Sequence, residues 1–235
     1  MKKVVVLQHA ECEAPGLIAR AIEEAGGVLK PVRTHAGETV PEEMGDASGL
    51  VVMGGPMGVY EHDRYPFIRS ELRLIESALR ESKAVLGVCL GSQLLASALG
   101  SKVTKGNRKE IGWHRVTLSE ASQHDPLWSG TDRSFVACHW HGDVFDLPAS
   151  ATALASSALT PCQAFRYGTA AYGFLFHMEI TPEILRGMTS TFKDELEEEG
   201  LDGNVIVREA RDHLPALQQT GNRVFRRWAG LLQAP

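Results

Sequence analysis

Neither sign of charge dominates this chain. Its 235 residues carry 24 Lys and Arg against 29 Asp and Glu, a net charge of −5, and the sequence pI is near 6.0. That leaves no basic footprint for nucleic acid or an anionic membrane surface. Long apolar runs are missing too. The uncharged stretches 84–101 and 147–165 are interrupted throughout by Ser, Thr, Gln, Gly or Pro, so neither reads as the ~20 apolar residues that span a bilayer. Behind Met1-Lys2-Lys3 the apolar run ends at Leu7, short of the ~7–15 residues of a signal-peptide core. Cysteine is sparse: positions 12, 89, 138 and 162 show no paired metal spacing. They are expected to be reduced thiols of a cytoplasmic protein. A P-loop, a Gly-rich dinucleotide loop, repeats and low-complexity tracts are all lacking, and no cofactor is expected. Hydrophobic residues at 43% and charged residues at 23% are ordinary for a folded domain and exclude disorder.

What is present is an alternation of strand and helix signals. Lys3–Gln8 is a short apolar run rich in β-branched residues, as in a buried parallel strand. Leu17, Ile18, Ala21, Ile22 and Ala25 follow at helical spacing and stop at Gly26-Gly27. Residues 28–33 and 50–53 read as further strands, the latter ending in Gly54-Gly55-Pro56. Ile68, Leu72, Ile75 and Leu79 form one helical stripe. Ala84–Val88 is a fourth buried strand, followed by a helix carrying Leu94, Leu95, Ala98 and Leu99 up to Gly100. The pattern predicts an α/β fold, an open and mostly parallel sheet with helices on both faces. In such sheets sites form beyond the carboxyl ends of strands. Between residues 103 and 176, short β-rich runs (113–118, 133–138, 162–167, 171–176) predict added antiparallel strands. Residues 182–235 read as helices whose acidic run, 195–199, and basic cluster, Arg223, Arg226 and Arg227, are expected to be solvated faces. At about 100–200 residues per domain, one domain over 1–235 is expected, with its core at about 3–182 and a helical extension at 183–235.

The chemistry concentrates at Gly87-Val88-Cys89-Leu90-Gly91-Ser92-Gln93. It follows an apolar strand and opens a helix, the setting of a G-x-nucleophile-x-G elbow with Cys in place of Ser. Flanking glycines permit a tight, strained turn that presents one side chain above the sheet. The helix N-terminus beneath the sulfur favours thiolate, and the Leu90 amide is placed to donate to an oxyanion. A Cys nucleophile needs a base and a group that orients the base. His177 emerges at the end of the predicted strand 171–176, with Glu179 two residues on and able to share its side of an extended chain.

Gly54-Gly55-Pro56, the Cys89 elbow, His141-Gly142-Asp143 and Tyr172–Glu179 occur in this order. With them the chain resembles a class I, triad-type glutamine amidotransferase, close to free-standing proteins similar to the amidotransferase domain of GMP synthetase. The resemblance covers roughly residues 3–182 and implies a flavodoxin-like fold. It implies Cys89 as nucleophile, His177 as base and Glu179 as its orienter, with an oxyanion hole from the amides of Gly55 and Leu90. It further implies substrate contacts from Gln93 and from Trp140, Gly142 and Asp143. The substrate would be glutamine or another γ-glutamyl small molecule, and the ammonia would go to an acceptor on a separate synthetase protein. One departure stands out: the family usually has Pro between the His and the Glu, where this chain has Met178. Without the fixed φ of Pro, Glu179 is expected to be less rigidly placed.

Three other readings remain open. The same triad would serve a γ-glutamyl peptide hydrolase, and the same fold a binding or regulatory module of little catalytic power. His139-Trp140-His141-Gly142-Asp143 also fits H-x-H-x-D, a pattern similar to that of metallo-β-lactamase-like hydrolases. Alternate residues of a strand face one side, so two His ligands are geometrically possible. That family continues with His, where this chain has Val144, and no metal is expected. The remaining histidines (9, 35, 62, 114, 124, 213) are expected to be ordinary surface or core residues.

Overall fold

A computed structural model describes residues 2–232. The ends of the single domain expected over 1–235, namely Met1 and residues 233–235, lie outside the described residues. Strand β1 (Lys2–Gln8) leads into helix α1 (Gly16–Glu24), β2 (Gly27–Arg33), β3 (Gly49–Val52), α2 (Phe67–Arg80), β4 (Ala84–Val88) and α3 (Leu90–Ala98). Five strands then follow before the next α-helix, the first four being β5 (Val103–Leu118), β6 (Ser134–Phe145), β7 (Thr152–Ser156) and β8 (Ala164–Tyr167). After β9 (Ala171–Phe174) come α4 (Pro182–Thr191), α5 (Lys193–Glu198) and α6 (Gly203–Gly230).

The nine strands form one sheet in the order β2-β1-β3-β4-β9-β8-β7-β5-β6. From β2 to β9 the pairings are parallel; from β9 to β6 they are antiparallel. This is the predicted class. Side-chain alternation along each buried strand feeds two cores. Val4, Val6, Val51, Met53, Leu86 and Val88 pack with α1 and the C-terminal helices. Val5, Leu7, Leu50, Val52 and Val85 pack with α2 and α3. Four elements end at the same edge: β1, β3, β4 and β9. Their carboxyl ends flank the point where the chain order reverses beside β1, where open α/β sheets place their sites.

Three details depart from the sequence reading. Strand β5 begins at Val103 rather than 113 and runs against β6 as a long hairpin arm. Its first seven residues are half-buried or exposed and rich in Lys, Arg and Gly, so they carry no alternation for periodicity to detect. Strand β7 falls where no strand was expected. The α2 stripe is also rotated: Ile68, Glu71, Leu74, Ile75 and Ala78 are buried, while Leu72 and Leu79 are half-buried. A charged residue on the inward face is the reason, because Glu71 is held there by a partner across the fold. The C-terminal helices are integral to the packing, with Leu217, Val224, Phe225 and Trp228 of α6 fully buried in the core that α1 shares. The basic cluster of α6 is also engaged. Arg223 donates to Gly130 O, Arg227 donates to Leu127 O and Ser129 O, and Arg226 pairs with Glu24.

Candidate active site

Cys89 lies between β4 and α3 with φ 50° and ψ −112°, a strained conformation for a residue with a Cβ. Its surroundings hold it there. Its N–H donates to Phe174 O at 2.8 Å, and its own carbonyl accepts from Ser92 Oγ at 2.7 Å. Both flanking glycines are required by close approach. A Cβ on Gly87 would collide with the Gly91 carbonyl, and one on Gly91 with the Val52 carbonyl. The elbow therefore presses α3 onto β3 and β4 more closely than any side chain allows.

His177 follows β9, but the strand ends at Phe174, and the backbone of His177 instead pairs with β6. Its N–H donates to Cys138 O at 2.8 Å. Its Nδ1 is 2.7 Å from Glu179 Oε1, its Nε2 has no hydrogen-bond partner among the described residues, and Cys89 lies near enough to bear on its charge. Cys89, His177 and Glu179 are thus brought together, all buried. Burial opposes a charge on His177, but Glu179 and the contact with Cys89 outweigh it and hold the imidazole well above its ordinary range. Burial pushes the Cys89 thiol up, against lowering contacts from His177 and the Leu90 N–H. Burial thus opposes the thiolate that the helix end and His177 favour, and the Cys89 sulfur lies 3.4 Å from Trp140 O.

Glu179 is expected to be less rigidly placed beside Met178 than beside Pro, yet its neighbours have supports that do not depend on residue 178. The Met178 side chain is buried in the core, and Gly221 of α6 comes so close that a Cβ there would lie 2.8 Å from Met178 O. Glu179 O accepts from Leu17 N at 2.9 Å, and Ile180 O accepts from Gln218 Nε2 at 3.2 Å. Helices α1 and α6 thus both bond to the backbone of this segment.

A pocket opens over Cys89. Gly55, Gln93, Trp140, Gly142 and Asp143 all line it, and Gln93 Nε2 donates to Asp143 O at 3.2 Å. Leu90 is not among the residues that line it, and its N–H lies against Cys89. The sequence reading missed several neighbours. Glu195 of α5 accepts from Lys109 Nζ and from Trp140 Nε1, each at 2.9 Å, so the acidic run is not wholly a solvated face. Glu13 lines the same pocket, from the loop after β1.

His9, expected to be ordinary, is a buried ion-pair partner. Its Nδ1 is 2.9 Å from Gly54 O and its Nε2 lies 2.9 and 3.0 Å from the two oxygens of Glu71. Both partners are acceptors only, so both ring nitrogens carry protons. Burial opposes this charge, but Glu71 overcomes it and raises the His9 pKa. Carbonyl and N–H of one trans peptide point in opposite directions, so fixing Gly54 O turns the Gly55 N–H away from His9. A charge on the buried stripe of α2 was the signal in the sequence; its partner, 62 residues away, was not.

Glu110, His139 and His141 offer ligand atoms within 4.8 Å of one another. At their centre stands the Gln163 amide nitrogen, 2.9 Å from Glu110 Oε2, 3.4 Å from His139 Nδ1 and 3.2 Å from His141 Nε2. The amide N–H groups take the place a cation would fill among these acceptors. Burial pushes His139 down to about 2 and His141 to about 4, leaving both imidazoles neutral. His139 therefore belongs to a buried polar network behind the pocket wall, and His141, which lines the pocket, joins the wall to that network.

The profile of the family described as "Glutamine amidotransferase class-I" matches residues 13–194. The glutamine amidotransferase-like protein YfeJ of Salmonella typhimurium is 36% identical over 197 residues, 83% of this chain and 82% of its own length. The GMP synthase of Thermosipho melanesiensis is 31% identical over 183 residues, 77% of this chain, which spans only 33% of that enzyme. The crystal structure of a glutamine amidotransferase from Thermotoga maritima superposes with a TM-score of 0.88 at 31% identity, covering 97% of this chain and 98% of that one. One from Methylobacillus flagellatus gives 0.90 at 28% identity, covering 100% and 97%. Sequence, fold and the Cys89 elbow converge: this chain belongs to the class I glutamine amidotransferases, a family of glutamine-hydrolysing enzymes.

Proposed function

We propose that the chain hydrolyses the side-chain amide of glutamine, or of a related γ-glutamyl amide, through a Cys89-His177-Glu179 triad. The observation that carries this reading is the strained elbow, with Cys89 beside an imidazole whose far nitrogen is 2.7 Å from a buried carboxylate. Cys89 attacks the amide carbonyl as its proton passes to His177. The oxyanion is received by the N–H groups of Gly55 and Leu90. The former is oriented through its own peptide plane by His9. A donor of this kind is worth about 10²–10³ in rate. His177 then protonates the departing nitrogen, leaving a γ-glutamyl thioester, and activates the water that releases glutamate. Gln93, Trp140, Gly142 and Asp143 hold the amino-acid end of the substrate.

The GMP synthases among the relatives are named as glutamine-hydrolysing, and by analogy the ammonia made here serves an acceptor on a separate synthetase protein. The test is thioester formation on the purified chain. Glutamine should trap a γ-glutamyl adduct at Cys89, and a glutamine-mimicking diazoketone should alkylate Cys89 alone among the four cysteines. An adduct on Cys12, Cys138 or Cys162 would overturn the assignment. Turnover of γ-glutamyl peptides but not of glutamine would move the reading to a peptide hydrolase. Chelator treatment should leave the rate unchanged; a loss restored by zinc would revive the metal reading.

A further inference from the structure

Glu13 has no part in the triad, yet it is set against it. The residue is 4% exposed and lines the pocket that opens over Cys89. No described residue donates a hydrogen bond to its buried Oε2. A carboxylate oxygen in that position incurs the full cost of desolvation. Its other acidic neighbours in the pocket are already engaged. Glu61 accepts from the Gly58 N–H and pairs with Arg64, and Glu195 takes both Lys109 and Trp140. Glu13 is left facing His177 across Gly54. A Cβ on Gly54 would collide with Glu13 Oε2 and lie 3.3 Å from His177 Cε1. The glycine is thus the only residue type that lets the carboxylate approach so closely.

The groups around Glu13 come from several elements: His177 and Glu179 after β9, His9 after β1, and Glu195 on α5. Burial dominates them and raises the Glu13 carboxyl to about 7, as befits a group short of donors. Gln93 and Asp143, which bond to each other, form another part of the pocket wall. In the proposed reaction they hold the amino-acid end. Glu13 then falls beside His177, where the scissile nitrogen must lie to receive its proton.

We propose that Glu13 is a further catalytic residue that accepts a hydrogen bond from the leaving nitrogen. The inference rests on the glutamine-hydrolysing reading above. In the step concerned, the Cys89 Sγ–C bond forms and the C–N bond breaks. The electron pair of the C–N bond stays on nitrogen, which takes the proton carried by His177. Glu13 gains and loses no proton; its carboxylate accepts from an N–H that acquires positive character as nitrogen is protonated. The interaction is stronger in the transition state than with the neutral amide, so it acts on rate. It also sets the substrate class. Leaving groups that carry N–H, ammonia above all, are favoured over those that present oxygen or a carboxylate to Glu13.

The test compares glutamine with glutamate γ-methyl ester, whose leaving oxygen has no hydrogen to donate. Single-turnover formation of the Cys89 thioester is followed by quenched mass spectrometry on wild type, Glu13→Gln and Glu13→Asp. Hydrogen bonds to charged groups predict that Glu13→Gln lowers the amide-to-ester rate ratio about tenfold or more, and that Glu13→Asp gives an intermediate ratio. Equal slowing of both substrates would make Glu13 structural and overturn the proposal. So would an unchanged ratio in either variant, and the Asp variant decides the matter should Gln prevent folding. If wild type forms no thioester from either substrate, the glutamine-hydrolysing reading fails as well. If wild type reacts and only the ratio is unmoved, the leaving-group assignment alone falls.

Discussion

Cys89, His177 and Glu179 occupy one buried cluster, but their supports differ, and so do the expected effects of removing them. His177→Ala should be the most damaging, because thiol deprotonation and nitrogen protonation both pass through it; a loss of about 10²–10⁴ is expected. Glu179→Gln should cost less, since the imidazole keeps a hydrogen-bond partner and loses only its charge. Met178→Pro should leave acylation close to wild type. Helices α1 and α6, not residue 178, hold the backbone of Glu179 and Ile180. Emptying the Met178 site should nonetheless lower stability by about 2 kcal/mol or more. Single-turnover acylation and urea unfolding on the three variants would check this order. A second residue-scale prediction concerns His9. His9→Asn removes the imidazolium that holds Gly54 O and strands Glu71. Acylation should fall about tenfold to a hundredfold, with little change in the binding of a glutamate product. Equal loss in both would mean that His9 only stabilises the fold.

Helix α6 is where an element reaches the chemistry without contributing a side chain to it. Gly221 lies against the carbonyl of Met178, and a Cβ there would come within 2.8 Å of it. On an isolated helix Gly→Ala gains about 0.5–1 kcal/mol. Here Gly221→Ala must push α6 or the 177–180 segment aside. The expected outcome is a net loss of stability together with slower acylation, measured by thermal unfolding and thioester formation. A stabilised variant of unchanged rate would show that the contact relaxes freely. Helix α5 acts more directly, carrying Glu195 to Trp140 Nε1 and Lys109. Neither helix could be assigned such a role from periodicity. An amphipathic pattern reports which face is buried, not which loop it is buried against.

Over the whole molecule, Glu13 and His9 are among the buried groups that make stability depend on pH in the same direction. Glu13 is raised from 4.5 to about 7, by burial above all. Against the burial that opposes its charge, His9 is raised above 6.5 by Glu71. A group whose pKa is raised on folding gives stability that is complete below its unfolded value and is lost as pH rises through the folded one. The Glu13 contribution is therefore full below about pH 4.5 and gone above about pH 7, while that of His9 declines at higher pH, as its raised folded value is passed. Urea unfolding across this range and beyond it should show Glu13→Gln flattening the decline, with its largest advantage over wild type at the alkaline end. A parallel pair of curves would remove Glu13 as the source. Among the described residues no helix is long and apolar enough to cross a membrane.

The sequence by itself determined the class of fold and the position of the elbow, because both are written in local pattern. Short β-branched runs alternate with 3.6-residue stripes, and two glycines bracket one cysteine between a strand and a helix. It also placed His177 and Glu179, two residues apart and close enough for the chain to join them. What it left open rests on partners distant in the chain. His9 meets Glu71 across 62 residues. Glu13 meets His177 across Gly54. Gln163 fills the acceptors of His139 and His141 from 24 and 22 residues away. Desolvation decided the rest. Whether a carboxyl, an imidazole or a thiol is charged depends on what excludes water from it, and only the packed tertiary structure supplies that.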